Sequence, residues 1–242
     1  MAMRFDNFYE DFATMSVAEL RERAQGILQG NKKFQPVRVK TKERGKICKS
    51  WWGEAWCKNL ERYADYENRI GRGKSYLRDG AVVDLKIKGN EINARVQGSY
   101  RAPYKVKIEI DKLSEENQTK LAKKATKKIQ DVESLITGNF PEELKDLFFQ
   151  KDGLFPSPKE IHFFCNCPDW ANMCKHIAAT LYGVAVRLDD NPLYFFEMRG
   201  INFEKFADKI VDNRVKKMID NANVKSSRII ENADLLQIFG VS

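Results

Sequence analysis

The fold of this chain is decided by the stretch AVVDLKIKGNEINARVQG, residues 81–98. Apolar and polar residues alternate on both sides of the dipeptide Gly89-Asn90, which is the period of a half-buried β-strand. A two-residue Gly-Asn loop is typical of a tight hairpin turn, and the turn sets the register of the two strands. The predicted facing pairs are Lys88–Glu91, Ile87–Ile92, Leu85–Ala94, Asp84–Arg95 and Val83–Val96. Since the apolar residues then share one face, the stretch predicts an antiparallel hairpin with one covered face.

The residues that follow predict a third strand and a helix that covers the sheet. The segment YKVKIEI, residues 104–110, repeats the alternation with its apolar residues on one side. Ser114 is a favourable N-cap for a helix over the following residues. The apolar stripe of that helix, which we expect to cover the sheet, consists of Leu121, Ala125, Ile129 and Val132. The opposite face could follow phosphate groups or form an ordinary solvated surface, and its lysines are Lys120, Lys123, Lys124, Lys127 and Lys128.

Two further helices are predicted before the hairpin. Ser16 and Glu19 form a capping-box pattern for a helix that ends near Gly30. Ser50 is the expected N-cap of a second helix, which begins with the tryptophan-rich segment SWWGEAW. Three tryptophans so close together either stack on nucleic-acid bases or anchor a core, because each ring buries a large apolar area.

The composition is that of a globular chain with an excess of positive charge. Hydrophobic residues make up 43% and charged residues 31% of the 242 residues, and the formal net charge is +8. No apolar run approaches the ~20 residues that span a bilayer, and the N-terminus lacks the regions of a signal peptide. We therefore expect a cytoplasmic protein with reduced thiols and no membrane partner. The positive charge favours polyanions as partners.

The twelve residues CNCPDWANMCKH, 165–176, contain three of the five cysteines and one of the two histidines. A disulfide is disfavoured where thiols stay reduced, and a catalytic thiol requires a base rather than further thiols. Four soft donors that arrive as two close pairs are what tetrahedral zinc requires. The sequence therefore predicts one structural Zn²⁺, and its candidate ligands are Cys165, Cys167, Cys174 and His176.

The spacing of these ligands predicts their local structure. In an extended chain, residues two apart point to the same side, so Cys165 and Cys167 can bind one ion together. In a helix, residues two apart diverge by about 200°. We therefore expect Cys174 just before a helix and His176 on its first turn. The apolar stripe of that helix is Ile177, Leu181, Val184 and Leu188.

The pattern C-x-C followed by C-x-H resembles the SWIM-type zinc finger, found in Swi/Snf-type ATPases, Mutator-type transposases and free-standing prokaryotic proteins. The similarity to the free-standing prokaryotic members extends to SWWGEAW, GRGKSYLRDGAVVDLKI, INARVQGSYRAPYKVKI and NPLYFFEMRG. The resemblance implies a ββα unit with one zinc ion bound by three cysteines and one histidine. These correspond to Cys165, Cys167, Cys174 and His176.

The expected fold class is α+β. We expect an antiparallel sheet of three or more strands with covering helices, followed by a small ββα zinc module and C-terminal helices. The predicted domains are an N-terminal α+β domain at 1–150, the SWIM-type zinc finger at 151–190 and a helical segment at 191–242. The first C-terminal helix should carry an apolar stripe composed of Phe203, Phe206, Ile210 and Met218.

Two basic segments provide candidate contacts for nucleic acid. Residues 37–42 alternate and predict a strand with one basic face. The segment NRIGRGKSY contains a GKS tripeptide, but Asn68 stands where a phosphate-binding loop needs glycine, so we expect no ATP site. We expect the segment to be a loop, and its cations either contact phosphates or are simply exposed to solvent. The candidate nucleic-acid-binding residues are Arg38, Lys40, Lys42, Arg69, Arg72, Lys74 and Arg78.

The leading hypothesis is a non-enzymatic, zinc-containing accessory protein that binds nucleic acid, DNA rather than RNA. It rests on the basic residues and on the DNA or protein interactions that the resemblance implies. The alternative is a protein–protein adaptor for a Snf-type helicase or another DNA-processing partner, because free-standing members of the family resemble partners of such helicases. No carboxylate pair and no nucleophile with its base is placed in a way that indicates catalysis.

Overall fold

The structure is a computed structural model that describes residues 15–43, 45–61, 67–128, 140 and 142–222. Its strands are β1 (Val82–Lys88), β2 (Glu91–Val96), β3 (Tyr104–Ile110) and β4 (Ile161–Cys165). Its helices are α1 (Val17–Gly30), α2 (Trp51–Glu61), α3 (Glu67–Arg78), α4 (Glu115–Lys128), α5 (Lys145–Phe149), α6 (Lys175–Asp190), α7 (Tyr194–Met198) and α8 (Phe203–Ala222). The expected α+β class is therefore confirmed.

The four strands form one antiparallel sheet in the order β1-β2-β3-β4. The predicted hairpin register is confirmed for the pairs Lys88–Glu91, Ile87–Ile92, Leu85–Ala94 and Asp84–Arg95. The predicted pair Val83–Val96 is wrong, because Val82 faces Val96 and the register shifts between Val82 and Asp84. One extra residue in a strand is the pattern of a β-bulge. The bulge buries both Val82 and Val83.

The helix that covers the sheet is α6, and this corrects the sequence prediction. Helix α6 packs on all four strands, whereas α4 packs mainly on α8. The start of α4 is as predicted, because Ser114 Oγ accepts a hydrogen bond from the backbone N–H of Asn117 at 3.3 Å. Leu121 and Ala125 of its stripe are buried, while Ile129 and Val132 lie outside the described residues.

The segment around the GKS tripeptide is a helix, and the expected loop is wrong. Gly73 on α3 lies so close to α6 that a Cβ there would be 2.5 Å from the Ala178 Cβ and 2.9 Å from the backbone N of Ala179. Glycine therefore lets the two helices approach. Residues 37–42 are not a strand, although Val37 donates its N–H to the carbonyl of Val82 at 3.2 Å.

The tryptophans of α2 pack on the core, with Trp56 fully buried and Trp51 and Trp52 partly buried. Trp56 is fully buried, and its indole N–H donates to the carbonyl of Leu181 on α6 at 3.1 Å. The Trp52 indole donates to the carbonyl of Leu188, also on α6, at 3.0 Å. The predicted N-cap is confirmed, since Ser50 Oγ accepts from Gly53 N–H at 3.1 Å. Trp52 and Trp56 therefore anchor α2 to α6, whereas the Trp51 indole donates to the carbonyl of Phe140 at 2.7 Å.

A buried arginine connects the end of α7 with the sheet. The Arg199 side chain is 1% exposed, and its Nη2 lies 2.6 Å from Glu160 Oε1. Its Nη1 donates to the carbonyl of Asp111 at 2.6 Å. A buried guanidinium requires such partners, because an unpaired charge in the interior is costly.

The expected stripe of α8 is confirmed in its first half only. Phe206 and Ile210 are buried, whereas Met218 is 72% exposed. Residues 223–242, the end of the helical segment predicted at 191–242, lie outside the described part of the chain. The division at residues 150 and 190 stays a prediction, and the sheet includes strands from both sides of residue 150. Among the described helices, none has the length and hydropathy needed to cross a membrane.

Candidate metal centre

Strand β4 and the start of α6 carry the four candidate ligands. Cys165 is the last residue of β4, and pairing with β3 continues to Asn166, whose N–H donates to the carbonyl of Lys105 at 3.3 Å and whose side-chain oxygen accepts from Lys105 N–H at 2.8 Å. Cys174 is the N-cap of α6, and His176 lies on its first turn. The prediction for Cys174 and His176 is therefore confirmed, whereas Cys167 lies in a bend rather than on an extended continuation of the strand. His162 lies elsewhere, with its Nε2 2.9 Å from Asp111 Oδ1.

The four ligand atoms converge on one point. The three sulfurs and one imidazole nitrogen all lie within 4.8 Å of one another. The Nδ1 of His176 is 3.9 Å from the Sγ of Cys165 and 3.9 Å from the Sγ of Cys174. Zn–S bonds of about 2.3 Å and tetrahedral angles place such donors roughly 3.5–3.8 Å apart. The cluster is therefore close enough to bind a metal ion after a small contraction.

The electrostatics of the three thiols favour a bound cation. Hydrogen bonds from Cys165 and Cys174 lower the pKa of the Cys167 thiol. The pKa of Cys165 is raised, because its thiol proton is shared with the sulfurs of Cys167 and Cys174 and because the side chain is partly buried. Three thiolates without a cation would repel one another, and a divalent ion removes that repulsion.

The imidazole ring of His176 is fixed by residues that are distant in the sequence. Its centroid lies 4.3 Å from that of Tyr104 and 5.6 Å from that of Tyr76. A Cβ on Gly98 would be 2.9 Å from His176 Nε2. Nε2 is buried without a hydrogen-bond partner among the described residues. This packing directs Nδ1 toward the sulfurs.

The loop between the two ligand pairs is held by an ion pair with α3. Asp169 Oδ1 lies 3.1 Å from Arg69 Nη2 and accepts the N–H of Ala171 at 3.2 Å. Both side chains are about one-fifth exposed. Arg69, which the sequence suggests as a phosphate contact, therefore positions the loop between the two ligand pairs. Sequence reasoning missed this role because the two residues are 100 positions apart.

Five of the seven candidate nucleic-acid-binding residues donate to neighbours within the protein. Arg38 donates to the carbonyl of Gly80 at 3.1 Å, and Arg78 donates to the carbonyl of Lys46 at 2.7 Å. The other three form ion pairs, Lys40 with Asp190, Arg69 with Asp169 and Lys74 with Glu61, the last at 2.6 Å. Lys42 and Arg72 are exposed and have no polar partner among the described residues. These positions therefore form at most a small part of a basic surface.

Comparison with known proteins shows similarity to one mycobacterial protein. No family model matches the chain, and no solved structure matches it. A protein of Mycobacterium tuberculosis described as "Uncharacterized protein Rv2102" is 34% identical over 159 residues. The alignment covers 65% of this chain and 57% of that relative, so the chain spans little more than half of the relative's length.

Proposed function

We propose that the cluster holds one structural zinc ion. The donor set of three sulfurs and one imidazole nitrogen is the one that tetrahedral structural zinc prefers. Four protein ligands leave no position for a reactive water, so the proposal assigns no catalytic role to the metal. The resemblance to SWIM-type zinc fingers supports the same ligand set. In this role the ion joins the end of β4 to the start of α6.

The test compares one ligand cysteine with a cysteine outside the cluster. Cys167→Ser should abolish zinc binding and expose the 165–174 loop to protease, because the ion joins this loop to the start of α6. The matched control is Cys57→Ser, which removes a buried thiol 4.0 Å from the sulfur of Cys48. The control should retain the metal. Elemental analysis of the reduced protein measures the zinc content of the two variants. Equal zinc content in Cys167→Ser and Cys57→Ser would contradict the proposal.

We further propose that the chain is an accessory protein that binds nucleic acid. The observation that carries this proposal is the formal net charge of +8 on a chain of 242 residues. Such a charge favours polyanionic partners, and the association should weaken steeply as salt is added. The DNA interactions implied by the SWIM resemblance point in the same direction, and DNA is the favoured nucleic acid.

Binding of labelled DNA and RNA across a salt series tests this second proposal. The logarithm of the association constant should fall linearly with the logarithm of the salt concentration, with a slope that counts the phosphates neutralised. Absence of binding to either nucleic acid at low salt would overturn it.

A protein–protein adaptor for a Snf-type helicase is the second candidate function, and one surface favours it. Apolar side chains project from one face of α8 at helical spacing, and each is 45% or more exposed. They are Val211, Val215, Met218 and Ile219. Reconstitution with a purified Snf-type helicase, measured by calorimetry, tests the adaptor. Val215→Glu should abolish the interaction if α8 is the contact.

A further inference from the structure

The face of the sheet opposite α6 is open to solvent. Its side chains alternate with the buried ones, as the pleat requires. Two rows of facing residues cross all four strands, and a third row crosses the first three. The rows are Lys86–Asn93–Lys107–Phe164, Lys88–Glu91–Glu109–His162 and Asp84–Arg95–Lys105. A groove of about 410 Å³ runs between the side chains of the first and last of these rows, within the ~300–1,000 Å³ of small-ligand sites. We call this surface the sheet platform.

The charge of the sheet platform is positive. Lys86, Arg95 and Lys105 line the groove. The one acid among its lining residues is Asp84, whose side chain is 9% exposed and already accepts the N–H of Gln35 at 2.9 Å. The Lys86 ammonium lies 3.7 Å from Asp84 and remains about half exposed.

Two acidic neighbours limit the number of available cations. Lys107 Nζ lies 2.8 Å from Glu91 Oε1 and 3.9 Å from Glu109 Oε2. We therefore count Lys107 as neutralised.

Lys105 has no acidic partner among the described residues, and Lys86 is about half exposed beside Asp84. The Arg95 guanidinium lies 5.4 Å from the centroid of the Phe34 ring. These three cations stand on three adjacent strands spaced about 4.8 Å apart, so a chain of phosphates that crosses the strands can contact all of them.

Phe164 supplies an aromatic ring beside these cations. It is 60% exposed and lies directly across from Lys107 in the β3–β4 register. The ring lines the same groove. Stacking on an exposed aromatic side chain requires an unpaired base, since the faces of paired bases in a duplex are already stacked.

We propose that the sheet platform binds single-stranded nucleic acid, with a base stacked on Phe164 and the phosphates held by Lys86, Arg95 and Lys105. This inference rests on the proposed nucleic-acid binding and names its site and the form of its ligand. It places the interface away from α3, whose cations are largely occupied by partners within the protein.

The metal cluster supports the sheet platform. Phe164 directly precedes the candidate ligand Cys165, and among the described strands β4 lies at the edge and pairs with β3 alone. A bound ion ties the end of β4 to α6 on the covered face, and this keeps the Phe164 ring on the open face. Loss of the ion should therefore weaken nucleic-acid binding even where the rest of the sheet stays folded.

The experiment measures fluorescence anisotropy of a labelled oligothymidylate of about 12 nucleotides, which is within the ~4–16 nucleotides of single-strand sites. An oligouridylate and a blunt duplex of the same length are the other probes. Phe164→Ala is compared with Phe149→Ala, which removes a 45% exposed phenylalanine from α5. The double variant Lys86→Ala/Lys105→Ala is compared with Lys120→Ala/Lys123→Ala on α4, which removes the same charge elsewhere. Zinc content and thermal melts of all variants verify that they are folded.

We expect Phe164→Ala to weaken binding of the oligothymidylate roughly 5- to 150-fold, the usual effect of removing one stacking ring. The Lys86/Lys105 variant should reduce the salt slope by about 0.7 for each phosphate that it no longer neutralises. Both control variants should bind like the wild type, and the duplex should bind more weakly than the single strand. Tighter binding of the oligouridylate would support the platform and make its ligand RNA.

Other outcomes overturn the inference in distinguishable ways. If the wild type binds and the sheet-platform variants bind equally well, the site is wrong while the proposed function stands. If only Lys120→Ala/Lys123→Ala weakens binding of the oligothymidylate, the interface lies at the lysines of α4 and the sheet-platform site is wrong. Equal affinity for duplex and single strand, unaffected by Phe164→Ala, refutes stacking. If the wild type binds none of the three probes, the proposed function fails, and the inference fails with it.

Discussion

The close approach of α3 and α6 can be tested with two glycines on one helix. Gly71 and Gly73 both lie inside α3. An added Cβ at Gly71 meets nothing within 4 Å. An added Cβ at Gly73 would be 2.5 Å from the Ala178 Cβ and 2.9 Å from the Ala178 carbonyl carbon. The same substitution to alanine therefore has opposite consequences two residues apart.

The two effects can be estimated separately. Alanine improves helix propensity by about 1 kcal/mol relative to glycine, so Gly71→Ala should raise the free energy of unfolding by about that amount. Gly73→Ala gains the same propensity but adds overpacking, which costs about 1–3 kcal/mol. The upper value applies, because the contact involves backbone atoms of α6 that no rotamer change can move. We expect a net loss of about 2 kcal/mol at Gly73.

Urea unfolding followed by far-UV circular dichroism measures the difference, with zinc held at one concentration because a bound ion shifts apparent stability. The two variants should differ by about 3 kcal/mol. This corresponds to roughly 6–12 °C in melting temperature for a chain of this size. If Gly73→Ala stabilises the protein as much as Gly71→Ala, the helices do not approach as described, and the reasoning is refuted.

Three further changes have defined outcomes. Burial favours a higher pKa for Glu160, but hydrogen bonds from Ser157 and Arg199 outweigh it and lower that pKa. The resulting stability is present above the ordinary pKa of 4.5 and is lost as the pH falls through the lowered value. Glu160→Gln should cost about 3 kcal/mol in urea unfolding at neutral pH, because it leaves Arg199 buried without its counter-ion. Gly98→Ala should weaken metal binding at least about tenfold in a chelator competition, because the new methyl group displaces the His176 ring. Removal of zinc with a chelator should lower affinity for the oligothymidylate in the anisotropy assay.

Each of these predictions has a matched control. Glu109→Gln removes a half-exposed carboxylate from β3 and should change stability by less than about 1 kcal/mol. Gly26→Ala adds a methyl group where nothing lies within 4 Å and should leave metal affinity unchanged. Restoring zinc to the chelated protein should restore binding of the oligothymidylate. Equal effects of a variant and its control would contradict the corresponding prediction.

The sheet shows which parts of the fold can be predicted from local sequence. The Gly89-Asn90 turn and the strand alternation correctly predict the pairs nearest the turn, because turn geometry and side-chain period act over a few residues. The bulge at Val83 escapes prediction. Both Val82 and Val83 are apolar and buried, so the alternation does not reveal which one is extra.

The choice of covering helix could not be made from sequence. Both α4 and α6 carry an apolar stripe, and a stripe indicates that a face is buried without indicating what covers it. The α3 segment was missed for a related reason. Its two glycines suggest a loop when considered locally, whereas Gly73 is required by the proximity of Ala178 on another helix.

The sequence by itself determined the four candidate ligands and their local geometry, since all lie within twelve residues and ligand spacing is a property of the local backbone. Only the tertiary structure decided what fixes those ligands and which cations are available to a partner. Gly98, Tyr104 and Arg69 are distant in sequence from His176 and Asp169 and meet them through packing. The open face with Phe164 likewise exists only once β4 joins β3, because a strand acquires its neighbours and its exposed side when the sheet assembles.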